Sequence, residues 1–161
     1  MKKIMVRAAI SEVDGLKVSE VEVVYRTQVK PSLRPVVSQS KEVYEVLKRN
    51  WDDTKIELVE QFKVLLLNGA NKVLGICELS TGGITGTVAD PKLIFIAALK
   101  AAATNIILSH NHPSGSLKPS RADLELTRKV KEAGQLLDIT VLDHLIISSE
   151  GFYSLADEGM M

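Results

Sequence analysis

The stretch that decides the reading is IILSHNHPSGSLKPSRAD, residues 106–123. The run NIILS just ahead of the histidines is short and β-branched, so it reads as a buried strand rather than a helix. In a strand, residues two apart point to the same side, so His110 and His112 project together and Asn111 turns away. Two neighbouring imidazoles can bind one divalent cation through one nitrogen each. A loop with Pro113, Gly115 and Pro119 follows, and the next helix opens near Ser120. Asp123, in the first turn of that helix, is the candidate third ligand, because the loop can fold back onto the strand end. Two neutral imidazoles, one carboxylate and a water would form the open tetrahedral zinc site of a hydrolase.

Ser120 and Asp123 also fit a helix capping pattern, with serine at the N-cap and an acid at the third position. Capping alone explains both residues, and it is compatible with metal binding. A lone histidine at a strand end is usually structural or solvated. The pair is harder to set aside, because the chain has three histidines in all and two share this strand end. The letters HNH are not the nuclease motif, whose residues spread over a whole ββα unit. A zinc nucleobase deaminase needs H-x-E and P-C-x-x-C, and one cysteine excludes it. The H-E-x-x-H helix of zincins is also absent.

Working outward, HNHPSG is preceded by an alanine-rich helix to about Ala103, with Asp90 as N-cap and Pro91 at the first helical position. Upstream, residues 59–80 read as a hairpin turning at Asn68-Gly69, and TGGITGTVADP as a glycine-rich loop. Val43, Tyr44, Leu47 and Trp51 mark one face of a helix that Ser40 can cap. LKVSEVEVVYR, residues 16–26, alternates as a strand with one wet face, and a connector with two prolines follows it. Downstream, a helix runs from Arg121 to about Leu137, ITVLDHLIIS is a strand, and EGFYS a turn and short last strand. The class is α/β or α+β around a mostly buried central sheet.

Twenty basic and twenty acidic residues cancel, so composition predicts no strong attraction to nucleic acid or an anionic membrane. No apolar run approaches a membrane span, and the N-terminus does not read as a signal peptide. The single cysteine, Cys77, forbids an internal disulfide and is simplest as a small buried residue; a cytoplasmic setting is expected.

H-x-H-P, six residues, then S-x-x-D resembles the JAMM metal-binding motif of the JAB/MPN domain, with His110, His112, Pro113, Ser120 and Asp123 in place. SHNHPSG, PSRADLELTRKV and LLDITVLDHLII resemble the RadC family in particular. The resemblance implies a JAB/MPN-like (cytidine-deaminase-like) mixed sheet flanked by helices over residues 36–161, after an N-terminal strand and connector over residues 1–35. It implies zinc held by His110, His112 and Asp123, an upstream acid as general base, and a metallopeptidase or isopeptidase reaction on an unknown substrate. Glu60 takes the acid's place, and it shares strand parity with Phe62, Val64 and Leu66; Glu57 and Glu78 are weaker rivals. Ser120 would donate a hydrogen bond to the oxyanion. Longer RadC chains carry a helix-hairpin-helix segment and the label DNA repair. The first 35 residues read differently here, so no strong DNA binding is expected, and a non-catalytic metal-binding domain in a DNA-processing complex is the rival reading. His144 reads as a satisfied core histidine, paired with Asp143 or a backbone carbonyl; the sharper alternative stands it behind the metal. Ser109 and Ser114 flank the loop and would bond to it or to substrate.

Overall fold

A computed structural model describes residues 18–84 and 86–161. The elements run in the order α1 (Ser40–Arg49), β1 (Gln61–Leu67), β2 (Val73–Thr81), α2 (Pro91–Lys100), β3 (Asn105–Asn111), α3 (Arg121–Leu136), β4 (Thr140–Ile147) and β5 (Phe152–Ser154). The five strands form one sheet in the order β2-β1-β3-β4-β5. Every pairing is antiparallel except β3 with β4. Parallel neighbours cannot be joined by a tight hairpin and need a crossover, which here is α3. Among the described residues, no helix is long and apolar enough to cross a membrane.

β1 and β3 lie inside the sheet, and all seven residues of β1 are buried. Strand alternation divides their side chains between two cores. Phe62, Val64, Leu66, Ile106 and Leu108 pack with Ile94, Phe95, Ala98 and Val130 of α2 and α3. Leu65, Leu67 and Ile107 pack with Val43, Leu47 and Trp51 on the α1 side. Each large aliphatic or aromatic side chain so buried stabilises by about 1.5–3 kcal/mol relative to exposure. By the same alternation His110 falls on the α2/α3 face, and Ser109 and Asn111 on the α1 face.

Local chemistry sets the joints. Asn68 Oδ1 accepts from the backbone of Ala70 and Lys72, closing a hairpin loop longer than two residues. Asp90 caps α2 by accepting from Lys92 N, with Pro91 at the first helical position. Glu42 accepts from Ser38 N and Gln39 N, so the helix cap is Gln39; the Ser40 hydroxyl instead donates to Asp157.

One expectation fails. The strand read over residues 16–26 is not formed over its described part, residues 18–26. Val21 and Val23 are exposed and pair with no strand among the described residues. Alternation specifies which side a residue would face, but a strand also needs a partner to satisfy its backbone. Tyr25 is attached to the sheet through its hydroxyl, which donates to Leu74 O.

Gly134, in α3, shows how tightly the crossover closes. The chain turns back after α3 so that Ile139 N donates to Gly134 O, and a Cβ at position 134 would stand 2.4 Å from Ile139 O. Alanine normally stabilises a helix interior relative to glycine. Here Gly134→Ala should destabilise by about 1–3 kcal/mol, the usual cost of overpacking. Urea unfolding checks this, and a variant as stable as the wild type would contradict the close approach.

Candidate metal centre

The centre forms where β3 ends and α3 begins. His110 is the sixth residue of β3 and is 1% exposed. Its ring lies nearly parallel to that of Phe62, opposite it on β1, with centroids 6.0 Å apart. His112 lies just past the strand, half-buried, and its backbone donates to Ile147 O of β4. Its Nδ1 is 2.7 Å from Ser116 O, which fixes the ring and aims Nε2 inward. The two Nε2 atoms are 3.0 Å apart.

Asp123 arrives from α3. Ser120 is the N-cap, and its backbone N and Oγ each donate to Asp123 Oδ2 at 2.7 Å, while Asp123 N donates back to Ser120 Oγ. Asp123 Oδ1 is thereby turned to within 3.3 Å of His110 Nε2. Burial alone would raise the Asp123 carboxyl, but the bonds and charge from His110 and the two bonds from Ser120 outweigh it and hold it well below the usual carboxylate range. It stays an anion. Ligand atoms of His110, His112 and Asp123 all lie within 4.8 Å of one another. Two imidazole nitrogens and a carboxylate oxygen brought this close together can hold a metal ion.

A third histidine backs the first. His144 Nε2 is 2.8 Å from His110 Nδ1, and His144 Nδ1 is 2.6 Å from Thr127 Oγ1. The ring is fully buried, and burial first, then the neighbouring His110, pushes its pKa far down, so it is neutral. All three histidines of the chain thus stand in one line. A bulge in β4 makes this possible. Val141 pairs with Ile106, but Asp143 pairs with the next residue, Ile107. The skipped residue, Leu142, reverses the alternation and swings His144 onto the face that carries His110. Asp143 points to the other side, where its carboxylate takes bonds from Ser154 and from the backbone of His144 and Ala156. So His144 is satisfied, as expected, but by His110 and Thr127 rather than by Asp143 or a carbonyl.

Glu60 sits one residue before β1 and is half-buried. Its backbone pairs with the glycine loop, accepting from Gly82 N and donating to Gly83 O. Gly82 is required there, because a Cβ would meet Gly86 O at 2.1 Å. The pairing of β1 with β3 ends at Phe62 opposite His110, two residues past Glu60. Glu78 is on the other face, 3.3 Å from Lys63, which lies over Trp51. Glu57 is exposed on the turn after α1. Cys77 is half-buried at the edge of the α2/α3 core, as a small packing residue. Ser114 Oγ accepts from Ser116 N within the loop, whereas Ser109 Oγ faces the α1 side with no hydrogen-bond partner among the described residues. A mainly apolar groove lined by Leu117, Pro119, Leu124, Tyr153 and Met160 flanks the ligand loop.

Two supporting residues escaped the sequence reading. Thr127 lies one helical turn beyond Asp123, a spacing that could have flagged it. Asn111 had no such signal. Its side chain donates to Ile56 O and Val59 O and accepts from Gln61 N, gripping the backbone on both sides of Glu60.

The mixed sheet and the His-x-His plus helix-borne aspartate define a JAB-type domain. The RadC-like JAB domain family matches residues 37–160, and the chain belongs to it. It is similar to the UPF0758 protein of Flavobacterium johnsoniae, 52% identical over 101 residues, which are 63% of this chain and 44% of the relative. The UPF0758 protein of Geotalea uraniireducens is 45% identical over 102 residues, 63% of this chain and 45% of the relative. That of Rubrobacter xylanophilus is 39% identical over 131 residues, 80% of this chain and 55% of the relative. The chain therefore spans about half the length of the curated relatives it matches.

Asn111 generates a test. Asn111→Leu leaves the Gln61 amide and two carbonyls without this partner, at about 1–3 kcal/mol for each buried group left unpaired. The variant should unfold at clearly lower urea, and the Gln61 amide should lose hydrogen-exchange protection. Unchanged stability and protection would show that the grip on the Glu60 segment is not made.

Proposed function

We propose that the chain is a zinc-dependent amide hydrolase, a metallopeptidase or isopeptidase. The observation that carries this reading is the convergence of His110 Nε2, His112 Nε2 and Asp123 Oδ1 at the mouth of the sheet. These three residues would hold the ion. Bound there, zinc would supply Lewis acidity and lower the pKa of a water toward neutrality. Structural zinc sites are closed by four protein ligands, and a three-ligand set supports a reactive one.

Glu60 is the general base. It accepts a proton from the attacking water and returns it to the departing amine. Its segment is held by Asn111 on one side and the glycine loop on the other, which supports a fixed position for the base. Ser120 holds Asp123 in place through its hydroxyl and amide. Rotation of the exposed hydroxyl turns its proton to the oxyanion as the carbonyl becomes tetrahedral. The groove beside Leu117 and Pro119 offers an apolar side chain of the substrate a place to lie. The balance of twenty basic and twenty acidic residues favours a peptide over a nucleic acid as substrate.

Elemental analysis of the purified protein should find one zinc per chain. His110→Ala should lose it and stay folded; a full equivalent of zinc in that variant would remove His110 from the ligand set. Glu60→Gln should keep zinc, while hydrolysis of amide substrates found in a screen with and without chelator falls by roughly 10²–10⁴. Loss of zinc from Glu60→Gln would make Glu60 a ligand, and unchanged turnover would move the base elsewhere. A protein that binds zinc yet cleaves no amide in a broad screen would favour the non-catalytic metal-binding alternative.

A further inference from the structure

We propose that Thr127 and His144 are positioning residues, a hydrogen-bond relay that places the proton of His110 on Nδ1 and so frees Nε2 for the metal. This rests on the metal reading above.

The relay follows from what each atom can do. A carbonyl oxygen only accepts, an imidazole nitrogen of a neutral ring either donates or accepts, and a hydroxyl does one of each. Thr127 Oγ1 lies 2.6 Å from the backbone oxygen of Asp123 and 2.6 Å from His144 Nδ1. With its single proton donated to Asp123 O, the hydroxyl must accept from His144, whose proton is then on Nδ1. His144 Nε2 is left bare and accepts from His110 Nδ1 at 2.8 Å. With the chain in this sense His110 Nε2 is bare, and it faces His112 Nε2 and Asp123 Oδ1.

Reversed, the chain has the opposite result. Were Thr127 to donate to His144, both rings would carry their protons on Nε2, and the proton of His110 would occupy the place of the ion. The sense of the chain and the binding of the ion are thus one equilibrium. Two features commit it to this pair of residues. His144 is 0% and Thr127 2% exposed, so water cannot stand in for either. The far acceptor is the backbone oxygen of Asp123 itself, so the relay starts and ends on metal ligands. A ligating histidine usually donates its second nitrogen to a carboxylate, a carbonyl or water. Here the acceptor is a neutral ring that needs its own anchor, and Thr127 is that anchor.

The chain's three histidines make the relay readable by NMR of ¹⁵N-labelled imidazoles, with zinc as the added ion. In the zinc-loaded protein, His144 should carry its proton on Nδ1. Thr127→Val keeps the shape but leaves that buried N–H unpaired, so zinc affinity, measured by chelator competition, should fall about 10–100-fold. Thr127→Ser restores the hydroxyl and should restore most of the affinity. His144 protonated on Nε2 in the zinc-loaded protein would overturn the relay, even if Thr127→Val proved too unstable to assay. Wild-type affinity in folded Thr127→Val, or equal losses in Val and Ser, would overturn it too. A wild type that takes up no zinc would instead overturn the metal reading on which the relay rests.

Discussion

The parallel pairing of β3 with β4 is the constraint from which the site follows. Two parallel neighbours need a connection that returns the chain to its starting edge, and α3 is that connection. The helix must then begin close to where β3 ends. His110 and His112 stand at that end, and the capped first turn of α3 delivers Asp123 to them. The same pairing sets β4 beside β3, so that a β4 side chain can stand behind His110. A group that can hold a cation, between a strand end and a helix start, agrees with the general placement of ligands at the carboxyl ends of parallel strands.

Much of this was legible in the sequence because it depends on neighbours along the chain. The i, i+2 pair of histidines needs only strand geometry, and the S-x-x-D cap needs only one helical turn. Asn68-Gly69 and Asp90-Pro91 are local signals of the same kind, and each acts in the structure as its chemistry suggests. The buried run that follows Glu60 was legible as β1, although the glycine loop and Asn111 that hold the Glu60 backbone were not.

What escaped depends on contacts distant in sequence. The bulge at Leu142 leaves no mark in ITVLDHLIIS, where simple alternation would put His144 on the wrong face. Thr127 matters because of a histidine seventeen positions away, and Asn111 because of backbone groups about fifty away. In the other direction, residues 18–26 alternate well and still form no strand, since alternation carries no information about whether a partner edge is at hand. The sequence records which side of a ribbon a residue would take, and the fold decides whether there is a ribbon.

β4 presents a carboxylate and an imidazole in adjacent positions, Asp143 and His144, and its one unpaired residue decides which of them stands behind the metal ligand. Regular pairing would bring the carboxylate there. An anion behind His110 would push electron density onto the ring and weaken the Lewis acidity of any ion it held. The bulge instead puts the uncharged ring there and sends the anion to pin the last strand through Ser154. A shift of one residue in a strand thus decides whether a charged or a neutral group backs His110, and would set the electrophilicity of an ion held there with no change in the ligand set.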